Sequence, residues 1–200
     1  MRYKYLIGID EAGRGPLAGP VSVGIACIPK YFNWSLIPGV NDSKKLTEKK
    51  REVIFKLVKQ LKKEKKLDYA VVMVSAKIIN EIGIVPSVNK AMELALKKLA
   101  ILPKDCMVKL DGSLYAPAEF THQETIIGGD GKEKVIGLAS IMAKVTRDRH
   151  MVRVSAAPHL VPYNFHVHKG YGTKVHRDAI LQFGLSDIHR KSFCTKLLNR

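Results

Sequence analysis

Four carboxylates stand out in this sequence because each lies at the end of a short apolar run and close to glycine: Asp10, Glu11, Asp111 and Asp130. Such apolar runs predict buried strands, and the ends of strands are where α/β sheets usually bind their ligands. Several carboxylates at close quarters cannot all ionise without a compensating cation. All-oxygen ligation favours Mg²⁺ or Mn²⁺ over zinc, and two such ions about 3.5–4 Å apart would stabilise the attacking and leaving oxygens of a phosphoryl displacement. The pattern therefore predicts a divalent-metal site for phosphate chemistry.

The adjacent pair Asp10 and Glu11 imposes a geometric condition on this site. Neighbouring strand residues point to opposite faces of a sheet, so both can serve one metal site only if the strand bends there. The following residues 13–20 are rich in glycine and proline and include the cation Arg14, which would permit a bend and let a ligand approach bare backbone. A single Asp-Gly is more often a turn, so the prediction depends on finding three such junctions in one chain.

The composition predicts one domain with an anionic partner. Two hundred residues suit a single domain, since domains typically hold about 100–200 residues. Lys and Arg outnumber Asp and Glu by 34 to 18, which gives a net charge of +16 and favours nucleic acid as the partner. The charge alone would equally suit a non-catalytic nucleic-acid binder.

The cysteines and the apolar runs indicate the compartment. Cys27, Cys106 and Cys194 lie far apart and predict reduced thiols in a cytosolic protein. The N-terminus has too few apolar residues for a signal peptide, and no run approaches the roughly 18–20 residues that span a bilayer. We expect a soluble, cytoplasmic monomer with no membrane partner.

Periodicity predicts an α/β chain of alternating strands and helices. Strands are predicted at residues 5–10, 21–28, 69–74 and 107–110, with a further apolar pair at 126–127. Helices are predicted after caps at Thr47 and Ser87, from about 135 to 151, and at 175–183. The continuous run at 69–74 is of the kind found inside a covered sheet. The first helix should bury one face, which comprises Val53, Ile54, Leu57, Val58 and Leu61.

Basic and aromatic residues could bind a ligand at several places. On the long helix, Ser140, Lys144 and Arg147 recur at helical spacing and could face one ligand, while Ala139 and Ala143 are small enough for close packing on a sheet. Lys44 precedes the first helix and could reach a phosphate. Gly-Tyr-Gly-Thr at residues 170–173 places an aromatic ring in a flexible loop. His176 and His189 could act as a general base, but a packing or surface role is the better prediction.

Beyond these patterns, the chain resembles ribonuclease HII in a series of blocks that follow the family's order along almost the whole sequence. The blocks are DEAGRGPLAGP at 10–20, DSKKL at 42–46, DG at 111–112, GD at 129–130, ASIMAKV at 139–145, RD at 147–148, HKGYGT at 168–173 and HRKSF at 189–193. Residues 113–134 match loosely, so Asp148 competes with Asp130 for the place of the fourth acid. The sister family, ribonuclease HIII, carries an extra N-terminal domain, for which the ten residues up to the first acid leave no space.

The resemblance implies a ribonuclease H-like fold, in which helices flank a mixed central sheet and a helical C-terminal extension follows. It further implies metal-dependent cleavage of RNA in RNA–DNA hybrids, incision 5′ to single ribonucleotides in duplex DNA, and 3′-hydroxyl and 5′-phosphate products. Such an enzyme would remove ribonucleotides and process RNA primers during DNA replication and repair. One catalytic domain would span residues 1–200, with residues about 155–200 contacting the substrate.

The resemblance also assigns roles to individual residues. It implies that Asp10, Glu11, Asp111 and Asp130 hold Mg²⁺ or Mn²⁺, two ions with substrate bound. By the same resemblance, Gly13, Arg14 and Gly15 read the ribose 2′-hydroxyl, and Tyr171 packs on the sugar that follows the junction. Lys44, Ser140 and Lys144 would contact phosphates. The 2′-hydroxyl is the group that distinguishes RNA from DNA at a given position, which agrees with this assignment.

Overall fold

The computed structural model describes residues 3–40 and 45–199, which build one five-stranded sheet with helices on both faces. The strands are β1 (Tyr5–Ala12), β2 (Val21–Pro29), β3 (Asp68–Val74), β4 (Cys106–Asp111) and β5 (Gln123–Ile126). The helices are α1 (Glu48–Lys63), α2 (Ala76–Ile82), α3 (Ile84–Leu99), α4 (Gly129–Lys132), α5 (Lys134–Val154), α6 (Phe165–His168), α7 (Lys174–Phe183) and α8 (Lys191–Leu198). Short 3-10 turns lie at Trp34–Leu36, Pro103–Asp105 and Pro158–Tyr163.

The sheet is mixed, with the strand order β3-β2-β1-β4-β5. The first three strands in sequence pair antiparallel, whereas β4 joins β1 in parallel and β5 joins β4 in parallel. Parallel neighbours need a long crossover, and the segment that contains α2 and α3 supplies it between β3 and β4. A consequence is that β1 and β4 deliver their C-terminal ends side by side at the centre of the sheet.

The two faces of the sheet bury different helices. Alternate residues of β1 and β2, such as Ile9 and Val23, pack with the apolar stripe of α3, in which Met92 is buried. The opposite face packs on α1 and α5 through a second cluster that includes Val58 and Ile141. The predicted stripe of α3 is confirmed, because Val88, Ala91, Met92, Ala95, Leu96 and Leu99 are all buried.

Helix α5 lies unusually close to the sheet because two strand residues have no side chain. A Cβ built on Gly8 of β1 would stand 2.2 Å from the carbonyl oxygen of Val135, and one on Gly24 of β2 would stand 2.3 Å from that of Ala139. The expected close packing of Ala139 and Ala143 is thereby confirmed, since both are fully buried. This contact fixes the height of α5 above the ends of β1 and β4.

Three predictions about local structure are wrong. Strand β3 is an edge strand with mostly half-buried residues, because a continuous apolar run does not reveal a strand's place in the sheet. Val53 of α1 is 53% exposed, and Phe55 is buried among Ile54, Val58 and Leu61 instead. Ser87 lies inside α3, where its hydroxyl donates to the carbonyl oxygen of Gly83 at 2.7 Å, and an unpredicted helix, α2, precedes it.

The C-terminal helices pack on the glycine-rich loop between β1 and β2. Their cluster includes Leu160, Phe165 and Ile180 and reaches Ala18 of that loop. An isolated β-bridge pairs Ala18 with His189. The predicted helix at 175–183 is confirmed as α7, which ends at Gly184 with a φ of 76°. None of the described helices is long and apolar enough to cross a membrane.

Candidate active site

Asp10 and Asp111 lie side by side where the ladder between the parallel strands β1 and β4 ends. The ladder between β1 and β4 runs as far as the pair Ile9 and Leu110, and the two acids are the next residue of each strand. The side chains of Ile9 and Leu110 face α3, so by alternation both acids point to the face that α5 covers. Asp10 is only 4% exposed, whereas Asp111 is half-buried.

The carboxyl of Asp10 is buried among other acids, and its pKa is perturbed. Burial raises its pKa well above the ordinary value, and the neighbouring charges of Glu11 and Asp111 raise it further. Two hydrogen bonds act in the opposite direction: the Ser140 hydroxyl and the backbone N–H of Glu11, which donates to Oδ1 at 2.7 Å. The site therefore holds more negative charge than these few donors compensate.

Glu11 occupies a different position from the one that the sequence predicted. Strand β1 does not end at the acids, because Glu11 still pairs with Val23 in the ladder to β2. Its Oε1 accepts a hydrogen bond from Arg14 Nη1 at 3.2 Å, while Oε2 is buried and has no hydrogen-bond partner in the described part of the chain. Burial raises the pKa of Glu11 and so does Asp111, although Arg14 lowers it. Glu11 is therefore close enough to Asp111 for their charges to interact.

Asp130 reaches this region from a short helix and not, as predicted, directly from a strand. Strand β5 stops at Ile126, and Ile127 is 81% exposed. The backbone N–H of Gly129 at the start of α4 donates to Asp111 Oδ1 at 2.6 Å, and the buried side chain of Asp130 follows it. The competing acid, Asp148, accepts a hydrogen bond from Lys144 Nζ at 3.0 Å. The start of α4 therefore contacts Asp111 directly, whereas Asp148 is paired with a lysine of its own helix.

The carboxylates fit a hard divalent cation by their chemistry, but they do not form a closed cage. Oxygen donors suit Mg²⁺ and Mn²⁺, and the unpartnered Oε2 of Glu11 and the raised pKa of Asp10 both indicate missing positive charge. Within residues 3–40 and 45–199, no group of three or more His, Cys, Asp or Glu side chains is arranged so that it could hold a metal ion. Mg²⁺ is usually held by one or two carboxylates together with waters and substrate phosphates, which requires no such cage.

The loop after β1 exposes its backbone beside Glu11. Arg14 and Gly15 are exposed, and Gly13 has a φ of 84°, a left-handed conformation that favours glycine. A Cβ on Gly13 would stand 2.0 Å from Arg147 Nε, so the backbone rests directly on that side chain. The amides of residues 13–15 donate to no backbone carbonyl of the described chain. A ligand at the acids could therefore contact bare backbone here.

The other predicted binding residues differ in how accessible they are to a ligand. Lys144 Nζ lies 5.3 Å from the centre of the Tyr171 ring, and the tyrosine is 41% exposed, so these two can meet a ligand together. Ser140 is 3% exposed and its hydroxyl engages Asp10, which places it beneath the acids. Lys44 lies outside the described residues.

Arg147 does not face a ligand with Ser140 and Lys144, contrary to the prediction. It is fully buried, and Nε donates to the carbonyl oxygen of Pro20 at 2.8 Å while Nη2 donates to that of Ala18 at 3.1 Å. Helical spacing gave the correct side of α5 but could not show that the loop after β1 covers this turn. The sequence placed Arg190 only in the resembling block at 189–193, and its burial was not predicted.

His176 and His189 of the C-terminal segment pack together instead of facing the acids. Ser186 N–H donates to His189 Nδ1 at 2.8 Å, so the His189 proton is on Nε2, which lies 3.0 Å from Nε2 of His176. The Nδ1 of His176 in turn lies 2.9 Å from the carbonyl oxygen of Tyr171. Burial lowers the pKa of both rings to about 4. Both are therefore neutral, and the predicted packing role agrees with their contacts.

A mixed sheet in this strand order, with acids at the central strand ends beneath a long helix, is the architecture of a ribonuclease H-like nuclease. Comparison with known proteins gives the same class. Residues 7–196 match the family model for ribonuclease HII. The ribonuclease HII of Endomicrobium trichonymphae is 46% identical over 186 residues, which cover 93% of this chain and 83% of the relative. That of Caldicellulosiruptor bescii is 44% identical over 197 residues, which cover 98% and 90%.

A solved structure supports the same conclusion. The crystal structure of the ribonuclease H2 from Pyrococcus horikoshii OT3 superimposes with a TM-score of 0.68 at 27% identity, covering 98% of both chains. The chain therefore belongs to the ribonuclease HII family, as the sequence blocks predicted. It is a ribonuclease H, an endonuclease that acts on RNA–DNA hybrids, and the predicted fold is confirmed.

Proposed function

We propose that this ribonuclease H also incises 5′ to single ribonucleotides embedded in duplex DNA and leaves 3′-hydroxyl and 5′-phosphate ends. The observation that carries the proposal is the contact between the acids and an exposed backbone loop. Asp10, Glu11 and Asp111 interact electrostatically, and Arg14 of the loop donates to Glu11. Phosphate chemistry and recognition of a sugar would thus occur side by side.

Asp10, Glu11, Asp111 and Asp130 would hold Mg²⁺ or Mn²⁺ in this enzyme. When bound, two such ions supply charge stabilisation to the attacking and leaving oxygens of the phosphodiester. The chain's own contribution is to orient the carboxylates by hydrogen bonds. Ser140 and the N–H of Glu11 orient Asp10, and the N–H of Gly129 orients Asp111. The raised pKa of Asp10 supports this assignment, because a cation would offset the repulsion that causes part of it.

The remaining contacts would position the nucleic acid. Backbone groups of residues 13–15 would read the ribose 2′-hydroxyl, and the exposed ring of Tyr171 would pack on the next sugar. Lys144 beside that ring would bind a phosphate, as would Lys44. Residues about 155–200 would form the substrate-contacting part of a single domain, since their helices pack on the loop after β1. The enzyme would act in the cytoplasm, in ribonucleotide removal and primer processing during replication and repair.

Mapping the cut tests this function. We expect a duplex with one ribonucleotide to be nicked once, on its 5′ side, only when Mg²⁺ or Mn²⁺ is present, and an all-DNA duplex of the same sequence to stay intact. DNA ligase should join the upstream product to an oligonucleotide that carries a 5′-phosphate, which would show that the upstream product ends in a 3′-hydroxyl. Tight binding of the duplex without a nick would instead indicate the non-catalytic binder that the +16 charge also permits.

The effect of Mg²⁺ on thermal stability should increase with pH. The folded-state pKa values of Asp10 and Glu11 lie above their ordinary values of 3.8 and 4.5. A raised pKa contributes stability at low pH that is lost as the pH rises through the folded-state value. Without divalent ions, these two acids should therefore lower Tm as the pH rises from their ordinary pKa values through their folded-state pKa values, and Mg²⁺ should restore Tm most at pH values above the latter. Equal Mg²⁺-induced shifts of Tm at all pH values would contradict the assignment.

Lys144→Ala should weaken substrate binding without unfolding the protein. Loss of one phosphate contact should raise KM about tenfold and lower the slope of log binding constant against log salt by about one. Its ion pair with Asp148 at 3.0 Å is largely buried, so the variant should also have a lower Tm, because a buried carboxylate loses its partner. Lys98→Ala, at an exposed position near the end of α3, is the matched control. Equal KM values for the two variants would exclude the phosphate contact.

A further inference from the structure

Two buried arginines lie beneath the loop of residues 13–20. Arg147 and Arg190 are both 0% exposed, and neither forms an ion pair with a carboxylate of the described residues. Their partners are backbone carbonyls instead. A charged group that is buried against neutral partners is costly, and well-packed apolar residues would often stabilise a fold better. The burial of these two arginines is therefore not explained by a gain in stability, which suggests a functional role.

All three nitrogen atoms of the Arg190 guanidinium donate hydrogen bonds to carbonyl oxygens of this loop. Nη2 donates to the carbonyl oxygen of Gly13 at 2.7 Å, Nη1 to that of Arg14 at 2.9 Å, and Nε to that of Gly19 at 3.0 Å. Burial, and next the nearby charge of Arg147, lower the pKa of Arg190 to about 9, so it stays charged in neutral solution. The guanidinium thus connects both ends of the loop.

Arg147 supports the loop from the side of α5. It donates to the carbonyls of Ala18 and Pro20 and occupies the space that a side chain on Gly13 would need. Its Nη1 is buried without a hydrogen-bond partner in the described chain, so this side chain serves the loop at some cost to its own hydrogen bonding. Together the two arginines hold five carbonyl oxygens of the loop toward the protein interior.

The consequence concerns the opposite side of the loop. Arg190 binds the carbonyls of Gly13 and Arg14 on the side of the protein interior, and the amides of residues 13–15 donate to no backbone carbonyl of the described residues. Gly13 is itself buried, so the exposed residues Arg14 and Gly15 offer their amides most directly to a ligand. Amide N–H groups can donate to a ribose 2′-oxygen, which a deoxyribose lacks.

We propose that Arg190 is a positioning residue for sugar discrimination: by binding the carbonyls of Gly13 and Arg14 it presents the amides of residues 13–15 to the 2′-hydroxyl. The inference rests on the proposed function, in which this loop reads the ribose. It goes further in assigning the discrimination to a side chain that never touches the substrate.

Binding measured in a cleavage-deficient Asp10→Asn background tests this role. In that background, a duplex with one ribonucleotide should bind about fivefold more tightly than the same duplex in DNA, the gain that one hydrogen bond supplies. Adding Arg190→Lys, which keeps the charge but replaces the three-sided donor with a single ammonium, should bring this ratio close to one. Binding of the all-DNA duplex should change less than twofold. A ratio of two dissociation constants does not depend on the fraction of folded protein.

Two further variants separate the role of the Arg190 guanidinium from the loss of any arginine. Arg153→Lys, at an exposed position of α5, should leave the ratio unchanged. Arg190→Gln, which retains a planar donor, should preserve part of the preference. A wild-type ratio in Arg190→Lys would overturn the proposal, as would a parent ratio of one in a protein that nicks at ribonucleotides. Unfolding of both Arg190 variants would also overturn it, because Arg190 would then support the whole fold. Failure of the wild-type protein to nick would instead reject the proposed function.

Discussion

Replacing Asp10 with Asn should lower the rate of cleavage by at least about 1,000-fold while duplex binding is retained. The carboxylate lies between Glu11 and Asp111 at the strand ends, and electrostatic stabilisation of the transition state is usually the largest contribution to catalysis. The amide has the same shape but supplies no negative charge for a cation. Cleavage is best measured under single-turnover conditions, and duplex binding by fluorescence anisotropy.

The same substitution should make the metal-free protein more stable, not less. Burial and two like charges raise the pKa of Asp10, so its ionised form destabilises the fold in neutral solution. Asp178→Asn, which changes an exposed acid of α7, is the matched control and should leave both activity and Tm nearly unchanged. An Asp10→Asn variant with wild-type activity would remove Asp10 from the site.

Gly13→Ala should have the second-largest effect, because it combines backbone strain with a collision. A φ of 84° costs a residue with a Cβ about 1–2 kcal/mol, and the Cβ would stand 2.0 Å from Arg147 Nε. Either the loop or the arginine must move, and we expect the cleavage of single-ribonucleotide duplexes to fall about 100-fold, as misplacement of a binding element by about 1 Å can cause.

Gly39→Ala separates the two causes of this loss. Gly39 has a φ of 79°, but a Cβ there would meet no atom of residues 3–40 and 45–199 within 4 Å, so among these residues the variant bears only the cost of the backbone conformation. We therefore expect a small fall in Tm and wild-type cleavage from Gly39→Ala. If both glycine variants showed the same activity, the support of the loop by Arg147 would not matter for function.

The sequence reveals the central strands and their acids because the signal is local. Apolar runs that stop at Asp10 and Asp111 predict buried strands with polar ends, and the parallel pairing of β1 with β4 brings those ends together. The long helix was predictable for the same reason, since Ala139 and Ala143 pack on the sheet.

What the sequence could not reveal depends on contacts between distant segments. The burial of Arg147 and Arg190 was not predictable, because it depends on loop carbonyls that are far away in the chain. Arg147 was instead predicted to face a ligand. The pattern around Asp130 predicted the end of a strand, although Asp130 lies in the short helix α4, which follows β5. A continuous apolar run such as β3 fits an edge strand as well as a central one when helices cover both faces.

Electron paramagnetic resonance of Mn²⁺ can show whether the acids at the ends of β1 and β4 bind a metal ion, because the free ion gives a signal that decreases on binding. We expect the wild-type protein to reduce this signal in the absence of nucleic acid, and a ribonucleotide-containing duplex to strengthen the effect. Asp10→Asn and Asp111→Asn should abolish most of it. Undiminished Mn²⁺ binding in both variants would contradict the assignment of the ion to the ends of β1 and β4.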